Sequence, residues 1–170
     1  MLCSTNNEMD KIDDNIWLGD YKAAINITNL KKEGIQKILC VMDNQAPKYN
    51  EENNFNRKII EVADSPTVNI IKYFGECIDF MKGDEKVLVH CMGGASRSAA
   101  IVIAYIMWKE KKKFADALDY VSKKRSCVFP NGGFKKQLKK FELLLEKNNY
   151  DLSKIDFKSI EWKAKFSDFF

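Results

Sequence analysis

Nine consecutive residues, His90-Cys91-Met92-Gly93-Gly94-Ala95-Ser96-Arg97-Ser98, gather a thiol, a guanidinium and two hydroxyls around a pair of glycines. An ionised cysteine is a potent nucleophile. The stretch lies between a β-branched apolar run, Lys86-Val87-Leu88-Val89, and ten apolar residues from Ala99 to Trp108. It therefore reads as the turn from a buried strand into a buried helix. Such a helix start offers unpaired N–H groups and a positive dipole end to an anion. Gly93 and Gly94 let the backbone curl, so that the amides from Met92 through Gly93, Gly94, Ala95 and Ser96 to Arg97 form a nest for oxyanion oxygens. The same field favours the Cys91 thiolate. Arg97, six residues on, returns to the loop mouth, where its fork can hold two oxygens bidentately. Ser98 is placed to hydrogen-bond the sulfur and so to stabilise it as a leaving group. The chemistry this pattern suits is thiolate attack on a phosphate ester. The competing reading, an inert buried thiol, is ordinary for cysteine, but it leaves the glycines, the arginine and the helix start at their offsets unexplained.

The elements that must position these residues are legible in outline. Ile16-Trp17-Leu18 reads as a short strand before Gly19-Asp20, and helical segments follow up to Gly34. Residues 37–42 and 58–62 are apolar and β-branched, as buried strands are, and the Asn-, Glu- and Lys-rich stretch between them reads as a loop. In 68–82, Ile71, Phe74, Ile78 and Met81 recur at helical spacing. Residues 86–90 form a third buried strand, then come the helix starting near Arg97 and helices at about 114–124 and 134–148. This alternation predicts an α/β fold, a central and mainly parallel sheet flanked by helices. The domain spans 10–150, after an N-terminal segment 1–9. The C-terminal extension 151–170 fits two patterns, a strand through Ile160, Trp162, Ala164 and Phe166 or a helical stripe through Ile155, Trp162, Phe166 and Phe169. A general acid is expected at a strand end, where loops reach over the site. Asp64 and Asp43 both qualify, whereas Asp79 and Asp84 read as solvated helix-end charges.

Composition narrows the function class. The chain has 170 residues, 45% hydrophobic and 31% charged, as a globular domain does. The apolar run is half the roughly 20 residues of a membrane span. Met1-Leu2-Cys3-Ser4-Thr5 shows no signal pattern and no Gly at position 2, so a cytoplasmic or nuclear location, away from membranes, is expected. Five scattered cysteines without a CxxC pair argue against a disulfide framework or a zinc site. A single histidine, His90, argues against a Ser-His-Asp triad or a His-rich metal site. Residues 1–90 carry 11 Lys+Arg against 15 Asp+Glu, whereas 91–170 carry 17 against 9. Pairs such as Lys135-Lys136 and Lys139-Lys140 fall at helical spacing, so this basic half reads as solvated helix faces rather than a nucleic-acid surface.

The loop His90-Cys91-x5-Arg97-Ser98 resembles the signature of the protein tyrosine phosphatase superfamily, and its His-Cys-x-x-Gly-x-Ser-Arg-Ser form resembles the dual-specificity branch. Other segments support the resemblance. Ile16-Trp17-Leu18-Gly19 is similar to the family's opening strand. Val62-Ala63-Asp64-Ser65-Pro66 with Asn69-Ile70 and Phe74 is similar to its general-acid loop, and Phe129-Pro130-Asn131-Gly132-Gly133-Phe134 with Gln137-Leu138 is similar to its C-terminal segment. Position 93, usually Ala in this family, is Gly here. The resemblance covers about 10–148.

It implies Cys91, Arg97, Asp64 and Ser98 as the catalytic set, with His90 and Asn131 supporting. Hydrolysis would run through a phosphocysteine intermediate without cofactor or metal. The uncharged loop positions Met92 to Ala95 point to a phosphorylated protein rather than a phosphoinositide. No long tyrosine-recognition loop is evident, which implies a shallow pocket open to phosphoserine and phosphothreonine as well as phosphotyrosine. Two alternatives stay open: a phosphoprotein-binding module, and, more distantly, an RNA 5′-phosphatase. Cys40, on a strand expected beside the catalytic one, is the candidate disulfide partner of an oxidised Cys91.

Overall fold

The computed structural model describes residues 8–44, 46–49 and 53–165. Five strands form one sheet: β1 (Met9–Asp13), β2 (Ile16–Gly19), β3 (Lys37–Val41), β4 (Asn56–Ile60) and β5 (Val87–His90), in the order β1-β2-β5-β3-β4. All pairings are parallel except β1 with β2. β5, which leads into the cysteine loop, lies between β2 and β3. In register, Gly19 and Cys40 both stand opposite His90.

Side-chain alternation along the strands sorts the core into two faces. Ile16, Leu18, Leu39, Val41, Val87 and Val89 join the larger cluster, under the helices that follow β4. These are α3 (Phe74–Met81), α4 (Arg97–Lys109), α5 (Phe114–Lys124) and α6 (Gly132–Lys147). Trp17, Ile38 and Leu88 face the other way, with Ala23, Ala24 and Leu30 of α1 (Tyr21–Ile25) and α2 (Ile27–Glu33). Helix α4 is buried from Arg97 through Met107, which explains why its sequence is apolar all round. Lys136, Lys139 and Lys140 are exposed on α6, as solvated faces should be.

The structure departs from the sequence reading in five places. β1 was not anticipated. The strand expected at 58–62 is displaced to 56–60, and Val62 instead presents its carbonyl to Arg97 Nη1 at 3.3 Å. The helix expected from 68 starts later, with a 3-10 turn at Ile71–Tyr73, because the Gln137 carboxamide holds both Val68 O (2.9 Å) and Ile71 N (3.0 Å). Cys127 is disulfide-bonded, whereas Cys40, Cys77 and Cys91 are free thiols. The C-terminal extension is neither strand nor helix through 165: it has 3-10 turns at Leu152–Lys154 and Phe157–Ser159, then an extended stretch. Phe166 and Phe169 of the two expected patterns lie outside the described residues. Among the described residues, no helix is long and apolar enough to cross a membrane.

Candidate active site

The loop from Cys91 to Ser96 leaves the C-terminal end of β5 and closes on the first turn of α4. Ser96 is the N-cap of α4, yet its hydroxyl makes no capping bond; it donates to Asp64 Oδ1 at 2.7 Å instead. The helix N-terminus is thus left without a side-chain cap, which is the arrangement that receives an anion. Cys91 is buried, and Ser98 Oγ donates to its sulfur at 3.1 Å. Arg97 reaches back from the same turn. Its Nη1 donates to Asp43 Oδ1 at 2.7 Å, and its Nε is buried with no partner among the described residues. A buried donor without an acceptor costs about 1–3 kcal/mol, and an oxyanion seated in the loop would satisfy it.

The loop is held in shape from outside. Gly94 sits at φ 63°, and a Cβ there would come within 2.5 Å of Gly19 O and 2.8 Å of Arg125 Nη2. Glycine is required on both counts. Arg125, fully buried, donates from Nε to Gly94 O at 3.0 Å and reaches Gly93 O at 3.5 Å, while Nη1 pairs with Asp10 of β1 at 2.8 Å. Two backbone bonds complete the frame, Tyr21 N to Met92 O (3.1 Å) and Phe129 N to Ala95 O (2.7 Å). With carbonyls 92 to 95 engaged outward, the loop amides are free to face the cradle. Sequence reasoning missed Arg125. It lies in the run Lys123-Lys124-Arg125, which looks like any solvated helix end, and no sequence signal pairs it with Asp10.

Asp64 and Asp43 converge on the loop from different strands. Asp64 Oδ1 accepts from Ser96 Oγ and from Asn131 Nδ2 (2.9 Å), and Ser96 Oγ in turn accepts from Asn131 N (3.1 Å). Asn131 also caps α6 through its own Oδ1 on Phe134 N. Both donors address Oδ1. Asp43, the rival, is engaged with Arg97. His90 is fully buried; its Nδ1 lies 3.3 Å from Cys91 O, and Nε2 has no partner among the described residues. Burial pushes its pKa down to about 4. At neutral pH it is therefore an uncharged ring within the frame. Cys40 packs with Met42 and Cys91 in one small cluster. Burial, reinforced by the Cys91 charge, pushes its thiol up to about 12. Met92 and Phe129 stand exposed at the rim, with Lys135 Nζ 3.6 Å from the Phe129 ring centroid. A cavity of about 1040 Å³ lies elsewhere, between α3, Trp108 and residues 150–158, and no loop residue lines it. The cysteine thiol, the guanidinium and the two carboxylates gather around the loop and not around that cavity.

Comparison with known proteins agrees with this geometry. The family model for the dual specificity phosphatase catalytic domain matches residues 16–143. A probable dual specificity protein phosphatase of Dictyostelium discoideum is 40% identical over 145 residues, covering 84% of this chain and 36% of that protein. Dual specificity protein phosphatase 1 of Arabidopsis thaliana is 38% identical over 135 residues, covering 77% of this chain and 67% of its own length. The chain thus spans only part of these curated relatives. The crystal structure of the human tyrosine phosphatase-like serine/threonine/tyrosine-interacting protein superposes with a TM-score of 0.77 at 39% identity, covering 81% of this chain and 97% of that one. A buried cysteine, arginine and uncapped helix start on a parallel sheet, within a matched span of this extent, establish that the chain belongs to the dual specificity phosphatase family.

Proposed function

We propose that this chain is an active protein phosphatase that hydrolyses phosphotyrosine and phosphoserine/threonine esters by way of a phosphocysteine. The observation that carries the proposal is an Arg97 Nε buried without a partner among the described residues, on the same loop as a Cys91 sulfur already hydrogen-bonded by Ser98. In the first step the Cys91 thiolate attacks phosphorus and the P–O ester bond breaks. Arg97 and the loop amides neutralise the equatorial oxygens, and Asp64 gives its proton to the departing oxygen. In the second step Asp64 takes a proton from water, the water oxygen attacks phosphorus, and the S–P bond breaks. The Ser98 hydroxyl stabilises the released thiolate. No charged side chain stands among Met92, Gly93, Gly94 and Ala95, so nothing in the loop is suited to a second phosphate. The exposed Met92 and Phe129 offer apolar rim surface to a peptide side chain.

A second reading, a phosphoprotein-binding module, is favoured by the name of the human relative, which describes it as an interacting protein. Cys91 and Asp64 distinguish the two. A binding module needs neither, whereas turnover needs the Cys91 thiolate and, for poor leaving groups, the Asp64 carboxyl. The deciding experiment is phosphate release from phosphotyrosine and phosphothreonine peptides, with a phosphoinositide and a 5′-triphosphate RNA as controls, by the wild type and Cys91→Ser. Turnover of the peptides that Cys91→Ser abolishes supports the enzyme. Peptide binding by both proteins without turnover by either identifies the module.

A further inference from the structure

The segment that follows α6 is tied to the loop that carries Asp64. Asn149 (φ 52°) and Tyr150 (φ 59°) reverse the chain directly after α6. Phe157 then enters a slot that exists only because position 75 is glycine: a Cβ there would lie 2.6 Å from the ring. The ring also packs against Phe141, with centroids 6.0 Å apart. Beyond this anchor the segment runs extended. Asn69 Nδ2 donates to Ile160 O (2.6 Å), Lys140 Nζ to Glu161 O (3.2 Å), and Trp162 Nε1 to Pro66 O (2.7 Å). Pro66 stands two residues after Asp64. On its other side the Pro66 carbonyl abuts Gly133, where no Cβ would fit. The stretch from Asp64 to Asn69 is therefore gripped twice from the segment, at Pro66 and at Asn69, and once from α6, through Gln137 on Val68 O.

We propose that residues 151–162 act as a strap and that Trp162 is a positioning residue for Asp64, fixing the general-acid loop over the phosphate cradle. The proposal rests on the reading of Asp64 as the general acid. Trp162 touches neither substrate nor reacting atoms; its indole N–H supplies an acceptor-specific bond to a backbone carbonyl that a proline ring forces into a fixed path. Losing that bond loosens the backbone two residues from Asp64, whose carboxyl then rests on Ser96 and Asn131 alone, and proton delivery depends on close placement.

The test uses Trp162→Phe, which deletes the N–H and keeps most of the packing, and Trp162→Ala, in the full chain. For Trp162→Phe, kcat/KM on a phosphothreonine peptide should fall about 3- to 10-fold, the worth of one net hydrogen bond, while an activated aryl phosphate should change less than about 2-fold. Orthovanadate affinity should hold. In an Asp64→Asn background Trp162→Phe should have no further effect. Backbone amide exchange at 64–69 should quicken in both tryptophan variants, while that of α4 does not change. Equal losses on every substrate, an effect that persists without Asp64, or unchanged exchange at 64–69 would each overturn the strap. The exchange readout needs no turnover: if the wild type is inactive, the proposed function fails and exchange still decides whether the strap holds the loop.

Discussion

Replacing Arg125 probes how far the phosphate loop depends on a residue that never meets substrate. Arg125 is fully buried, its Asp10 partner has a side chain only 14% exposed, and the guanidinium reaches two loop carbonyls. Truncating one member of a buried ion pair costs about 3–5 kcal/mol, a large share of the roughly 5–15 kcal/mol that holds a domain together. Arg125→Met should therefore unfold at much lower denaturant or not fold at all. Arg125→Lys is the more informative variant, since it keeps a charge for Asp10 but loses the planar fork. It should cost about 1–3 kcal/mol, as expected for lost hydrogen bonds from a charged donor. Urea unfolding with an unchanged slope would measure that loss. The loop carbonyls would then be less constrained, and orthovanadate affinity should fall about tenfold, or about 1.4 kcal/mol. Arg125→Lys that stays within about 0.5 kcal/mol of wild type and binds vanadate equally well would refute the idea that this residue shapes the cradle.

Three further outcomes follow from the same geometry. Asp64→Asn keeps the Oδ1 acceptor for Ser96 and Asn131, so the fold should persist; activity should fall most on phosphothreonine, less on phosphotyrosine and least on activated aryl phosphates, within the roughly 10²–10⁴-fold range of general acid help. If Asp43→Asn shows that leaving-group dependence instead, the acid has been misassigned. His90, held at about 4 against its ordinary value of 6.5, binds its proton less readily in the folded state; its contribution to stability is complete above pH 6.5 and is lost as pH falls toward 4, by up to about 3 kcal/mol. Urea midpoints at pH 7.5 and 4.5 should therefore differ more for wild type than for His90→Gln, and equal differences would contradict the burial argument. Mild peroxide should convert Cys91 to a sulfenic acid, which condenses with Cys40 to give a disulfide and water; peptide mapping that finds only overoxidised Cys91 would exclude this route.

What could be read from the sequence followed the strength of local patterns. The cysteine loop was legible because a cysteine, two glycines and an arginine fall between a β-branched run and an apolar helix, so short-range spacing located it. The mainly parallel sheet was legible from its apolar strands. β1 escaped because a register irregularity between Lys11 and Asp13 breaks its alternation, and an edge strand needs fewer apolar residues. Arg125 escaped for a related reason: its partner Asp10 sits on that unseen strand, 115 positions away. The C-terminal extension misled because its aromatics do not follow a secondary-structure period. Phe157 and Trp162 are spaced to reach a glycine slot and a proline carbonyl, two targets set by tertiary structure alone. Asp64 and Asp43 could not be separated by strand-end position, since both arrive over the loop; they differ in their partners, Ser96 and Asn131 for Asp64 and Arg97 for Asp43.

The most direct test of the account is to look for phosphorus on Cys91. Wild-type protein, mixed with a ³²P-labelled phosphotyrosine peptide and quenched in acid within milliseconds, should carry label that maps to the peptide containing Cys91. Cys91→Ser should remain unlabelled while still binding orthovanadate. A wild-type protein that binds the phosphopeptide yet shows neither label nor phosphate release would contradict the account and make this loop a recognition site alone.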